Sequence, residues 1–207
     1  LDYEADRHFF LSHYFRDNYD DFLKTYPYIN SPIQITRAEV WVTNRGSRTQ
    51  NIRNIVGFQD LGESNPERTT LDKRITNFFS GSDLLSPPSN ESNRLNPKSI
   101  GQGGILGSSI RDIASVSNSF GANSTVIKEG FDYAVLESAR KLNTSEYKLH
   151  PQLGYISLNQ RLSNDEVLAV AYQYTVGGKL YQVGEFATGS VEGTTTTQNT
   201  ANQTKVV

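Results

Sequence analysis

The 207-residue chain contains no cysteine and no methionine. The first absence excludes disulfides, thiolate nucleophiles and cysteine-ligated zinc, and leaves the chain indifferent to its redox compartment. The second, together with Leu1 as first residue, is what a piece of a longer chain would show. No apolar run approaches the roughly 18 residues that a membrane-spanning helix needs, and the first residues show no charged-then-apolar signal pattern. Twenty basic residues stand against 22 acidic ones, for a formal charge of −2. That field is too weak to gather nucleic acid or anionic lipid, and no lysine or arginine run makes up for it, so no nucleic-acid partner is expected.

What is present is enough apolar residue, 36% of the chain, to bury one sizeable core or two small ones. The clearest local signal is Val167 to Phe186, VLAVAYQYTVGGKLYQVGEF. Leu168, Val170, Tyr172 and Tyr174 alternate with smaller residues, Gly177-Gly178 supplies the two positive-φ positions of a tight turn, and Tyr181 and Val183 return opposite Tyr174 and Tyr172. This is a β-hairpin. Alternation of this length also describes a transmembrane strand, but Gln173, Thr175, Lys179 and Gln182 on the other face suit a half-buried soluble sheet, which is the expectation.

Upstream, Phe9, Phe10, Tyr14, Phe15, Tyr19, Phe22 and Leu23 recur near helical spacing with Pro27 just beyond, which predicts a helix from about residue 6 to 24. Ile33 to Asn44 and Asn51 to Leu61 carry β-branched density and are expected to pair as antiparallel neighbours across the polar loop 45–50. Residues 64–104 hold four prolines among many serines and asparagines. They read as an irregular connector with a short helix near 71–79, and as a place for a partner contact or poor order. A helix is expected over 108–120, capped by Ser108 or Ser109 and stopped at Gly121. Strands are expected at 132–142, at 147–158 with Pro151 at an edge or bulge, at 167–176 and at 179–187. From Gly189 the polar, Thr-rich sequence has no face to bury and reads as a flexible tail.

The expected fold is therefore α+β and antiparallel β-rich, with a sandwich-like meander in the C-terminal half, an N-terminal helix and a second short helix. Its divisions are 1–63, helix plus hairpin; 64–104, connector; 105–188, β-rich; and 189–207, tail.

Catalytic chemistry finds little footing. On one helix His8 and His13 would lie about 140° apart, so they share no face as an i, i+4 metal pair would, and His150 has no partner in sequence. The acids at Asp2/Glu4/Asp6, Asp17/Asp20/Asp21 and Asp165/Glu166 lack the spacing of a calcium loop. Gly101 to Gly104 before Ser108-Ser109 lacks the lysine and the preceding strand of a phosphate loop. No catalytic residue, cofactor or metal is expected, and the chain is not expected to be an enzyme. The eleven tyrosines suggest a different surface. Tyr172, Tyr174 and Tyr181 on one sheet face are the candidate interaction surface, either as ordinary packing or as a sugar-stacking platform.

Long stretches of text carry a resemblance. DRHFFLSHYFRDNYDDFLKTYPYINSPIQITRAEVWVTN at 6–44, NIRNIVGFQDLGE at 51–63 and the stretch from His150 to Phe186 resemble successive blocks of the SprA family, the very large outer-membrane translocon of the gliding-motility (type IX) secretion machinery. The resemblance implies a part in moving folded cargo across the outer membrane, with this chain as one extramembrane module, periplasmic or extracellular, of a giant β-barrel protein. It implies as partners the rest of the translocon chain, other secretion proteins or secreted cargo, and contact with the outer membrane through the parent barrel. Docking would use the 64–104 connector or the aromatics of the first helix. The alternative is a cell-surface carbohydrate-binding or adhesion module using the tyrosine face.

Overall fold

The computed structural model describes residues 6–46, 50–59, 71–79, 87–187 and 204–207. The chain is β-rich α+β, with its strands in two sheets and two α-helices, the longer near the N-terminus. The strands are β1 (His8–Phe10), β2 (Ile33–Val42), β3 (Ile52–Phe58), β4 (Tyr133–Lys141), β5 (Tyr147–His150), β6 (Tyr155–Leu158), β7 (Leu168–Val176), β8 (Lys179–Val183) and β9 (Lys205–Val206). The helices are α1 (His13–Leu23) and α2 (Leu71–Arg74). The larger sheet has the order β8-β7-β2-β4-β3-β9, and a three-stranded sheet runs β1-β6-β5.

The β7–β8 hairpin forms as its sequence dictates. Tyr174 pairs with Tyr181 and Tyr172 with Val183, around Gly177 and Gly178 at φ of +55° and +81°, a turn whose twist matches that of the strands. β7 then pairs with β2 along nearly its whole length, with a bulge between Ile35 and Arg37. The bulge shifts the alternation of β2 by one residue. Ile33 and Ile35 before it, and Ala38, Val40 and Val42 after it, therefore all reach the same side of the sheet.

That side is covered in two halves. Over β2, β7 and β8 lie α1 and the small sheet, so that Phe15 and Phe22 of α1 meet Ile33, Ile35, Tyr172, Tyr174 and Val183, while Val40 and Val42 meet Ile156 and Leu158 of β6. Over β3, β4 and β9 lie residues 71–79 and 87–127, whose Leu71, Ile75, Phe78, Leu95, Leu106, Ile110 and Phe120 pack on Val56, Tyr133 and Val206. The opposite side carries a smaller cluster of Trp41, Ile55, Leu136, Ala139 and Ala169.

Several local expectations are corrected by long-range pairing. β2 and β3 are not neighbours, because β4 lies between them, pairing with β3 over most of its length and with β2 at Trp41 and Val42. The predicted first helix starts at His13, with Ser12 at its N-cap position, and His8–Phe10 before it is a strand added to β6. The apolar spacing runs unbroken across this junction, so periodicity alone misses it. Residues 147–158 form two strands, with Pro151 opening the turn between β5 and β6. β6 and β7 belong to different sheets, so the strands of the C-terminal half do not run on as one meander. Residues 108–111 and 113–118 are short 3-10 turns in place of one α-helix, and the residue that caps the first of them is Gly107, not a serine.

The larger sheet draws strands from both the 1–63 and the 105–188 divisions. The described parts of the predicted connector are core-forming, with Leu71, Phe78 and Leu95 buried; residues 60–70 and 80–86 lie outside the described residues. Of the predicted tail, 189–203 lies outside the described residues, and the rest holds β9, the parallel partner of β3 with Val206 buried.

Candidate interaction surface

The tyrosine face predicted as a surface is interior. Tyr172 and Tyr174 are 1% and 0% exposed, beneath Phe15 and Phe22 of α1. Tyr174 stacks on half-buried Tyr181 at 5.3 Å and 12°, and its hydroxyl lies 3.0 and 2.8 Å from the Pro87 and Pro88 carbonyl oxygens, donating to one at a time. Alternation told which residues share a face but not that a helix covers it. With two of its three rings buried, this face offers a sugar no platform.

Most buried charges are paired within the fold. Glu39, 2% exposed, accepts from Lys141 at 2.8 Å, Arg37 at 2.9 Å and the Ala187 amide at 2.8 Å. Burial pushes its carboxyl up, but these bonds outweigh burial and hold it below the usual range. Asp132 is bound by both terminal nitrogens of Arg74 and accepts from the Lys128 amide at 2.8 Å. Several surface acids are also engaged: Asp17 with Arg16, Asp21 with Lys24, and Asp165 and Glu166 with Arg45. Among the described residues no three of His, Asp and Glu gather into a metal-holding group. A cavity of about 170 Å³ beside the start of α1, lined by Ser12, Asn90, Tyr172 and Val183 among others, holds His13 and Arg16 but, among the described residues, no Asp or Glu side chain.

The three histidines fall into different settings. His13 opens α1, whereas His8 and His150 come to the same side of the small sheet. Register defines that side, since Phe9, Ile156 and Leu149 align across β1, β6 and β5 and pack inward on Val40 and Val42. The alternate residues face out in two rows, Phe10–Tyr155–His150 and His8–Ser157–Lys148. Phe10 is 39% exposed, and His8 and Lys148 are exposed as well.

Ring contacts and the bond between His8 and Ser157 order this outer face. The His150 ring stacks on Tyr155 at 4.1 Å and 11°. Tyr19 of α1 meets Phe10 edge-on at 5.4 Å and Tyr155 at 6.2 Å. His8 Nδ1 lies 2.8 Å from Ser157 Oγ. Burial, then the charges of Lys148 and His8, hold the His150 imidazole below its ordinary pKa. A second pair of rings, Tyr26 and Tyr28, stands 80% and 79% exposed on the turn after α1, which is held by Tyr28 N–H to Thr25 O at 3.0 Å and Asn30 N–H to Phe22 O at 2.9 Å.

A family described as "motility related/secretion protein", SprA_N, matches residues 1–164. The chain belongs to this family. None of the curated proteins matches it. The SprA_N match takes in α1, β1 to β6 and the whole outer face, and ends before the β7–β8 hairpin. Family membership makes the chain a motility- and secretion-related protein, and no described helix is long and apolar enough to cross a membrane.

The outer face was not singled out by sequence reasoning. Its one signal was the alternation in Tyr155-Ile156-Ser157-Leu158, too short by itself to separate strand from turn. Phe10 and His8 were assigned to a helix, so their place beside Tyr155 and Ser157 could not be foreseen.

Proposed function

We propose that this chain is a non-catalytic extramembrane module of a giant outer-membrane translocon, supporting type IX protein secretion and gliding motility by docking. Its partner is another part of the translocon chain, a further secretion protein or secreted cargo, met on the periplasmic or extracellular side. The observation that carries this reading is the six-residue outer face of β1-β6-β5. It is an aromatic and basic patch whose rings are fixed by stacking and whose backbone is held by the core beneath it. Rigid, partly exposed aromatics lose little side-chain freedom on binding, which is why such residues dominate protein interfaces. The non-catalytic part of the proposal draws on the buried acids Glu39 and Asp132, whose bonds are spent on joining strands and loops.

The test places a photoreactive phenylalanine analogue at position 10 of the full-length protein in the source cell, and the same probe at Phe131, which is 60% exposed. Capture of secretion-machinery or cargo proteins from position 10 well above that from position 131 is expected. Equal capture from both positions would sink the docking role of this face.

A further inference from the structure

The outer face has a chemical bias that narrows what it docks. Of its six outward side chains, one is a lysine, two are imidazoles, two are aromatic rings and one is a serine, and none is a carboxylate. Two of the three acids of α1 are paired on their own helix or at its end, Asp17 with Arg16 and Asp21 with Lys24. The row Phe10–Tyr155–His150 is an apolar strip, and the row His8–Ser157–Lys148 beside it is a polar, basic one.

We propose that this face receives a short protein segment in which carboxylates alternate with apolar side chains. The proposal rests on the docking role given above and names the chemistry of the partner. Apolar side chains of the segment lie over the Phe10 and Tyr155 rings. Its carboxylates meet the Lys148 ammonium and the imidazole N–H groups in charge-assisted hydrogen bonds. Three strands at about 4.8 Å spacing give a patch about 10 Å across, the width of a few residues of extended peptide. With a lysine and no carboxylate among its six outward side chains, this face attracts such a segment and repels basic ones, so charge supplies selectivity and the rings supply contact area.

The probe is a fluorescein-labelled ten-residue peptide alternating Glu and Phe, compared by anisotropy with its Gln-for-Glu counterpart on the 207-residue chain. The acidic peptide is expected to bind at least tenfold more tightly, with the preference lost in Lys148→Glu and in 0.5 M NaCl but kept in Lys128→Glu, which lies beside Asp132 and outside the small sheet. Phe10→Ala is expected to weaken both peptides. Equal binding of the two peptides, or an acidic preference that survives Lys148→Glu, overturns the proposal. The cross-linking at position 10 separates the two failures. Partner capture without an acidic preference leaves docking standing and removes only the chemistry, whereas absent capture removes docking itself.

Discussion

Arg111 and Glu185 are joined by two parallel hydrogen bonds, Nη2 to Oε1 measuring 2.8 Å, and this pair fastens the last strand. Arg111 Nη1 also donates to the Thr204 carbonyl at 3.1 Å, and Glu185 Oε2 accepts from the Val206 amide at 3.0 Å. A bidentate pair fixes geometry as well as contributing energy. Glu185→Gln is expected to lower stability by about 1–3 kcal/mol, since it leaves a partly buried guanidinium poorly matched. It is also expected to speed hydrogen exchange at the Val206 and Val207 amides. Exchange there equal to wild type would show that pairing with β3 and burial of Val206 hold β9 without this ion pair.

Glu39 gives the chain an acid-sensitive tie. Its folded pKa lies below the ordinary carboxylate value because the bonds to Lys141, the Ala187 amide and Arg37 outweigh burial. A depressed carboxylate contributes stability that is fully present above its unfolded pKa and is lost as pH falls through the folded value. Glu39→Gln is therefore expected to be less stable than wild type in urea at pH 7, with the gap closing below about pH 4, where the unfolded chain takes up its proton. A gap that stays constant from pH 7 to pH 3 would show that shape, not charge, is what Glu39 supplies.

Tyr174 tests whether its face is core or surface. Tyr174→Ala is expected to cost about 3–5 kcal/mol, as for other large buried rings. Tyr174→Phe is expected to cost about 1–3 kcal/mol by leaving the Pro87 and Pro88 carbonyls without their donor. Chemical denaturation measures both. Losses within 0.5 kcal/mol, the usual range at exposed positions, would contradict the burial of this ring.

Gly154 lies in the turn between β5 and β6 at φ +66°, and a Cβ there would overlap the Phe15 ring. Gly154→Ala combines about 1–2 kcal/mol of left-handed backbone cost with overpacking of about 1–3 kcal/mol. A thermal melt should show a markedly lowered midpoint. In a Phe15→Ala background the same substitution should cost less, because the clash is gone and the backbone cost remains. Equal costs in both backgrounds would place the damage in the backbone alone.

The site and the fold were legible to different degrees. The β7–β8 hairpin was readable because turn chemistry and alternation are local. Its pairings, Tyr174 with Tyr181 and Tyr172 with Val183, appear in the structure residue for residue. The insertion of β4 between β2 and β3 was not readable, since nothing in the loop 45–50 tells whether its flanking strands touch or admit a third. Nor was the fate of the tyrosine face, because alternation marks an apolar side without naming its cover.

The sequence by itself determined the β-rich α+β class, the C-terminal hairpin and its register, the body and C-terminal end of α1, and the likeness to the SprA family. All of these rest on residues close in the chain or on the text itself. Tertiary structure alone decided that Tyr172 and Tyr174 are core, that Lys205-Val206 is a strand, and that His8, Phe10, Lys148, His150, Tyr155 and Ser157 form one surface. Each of these depends on which distant segments cover or pair with one another. That choice is made by burying the most apolar surface at once, a property of the whole chain that no short window contains.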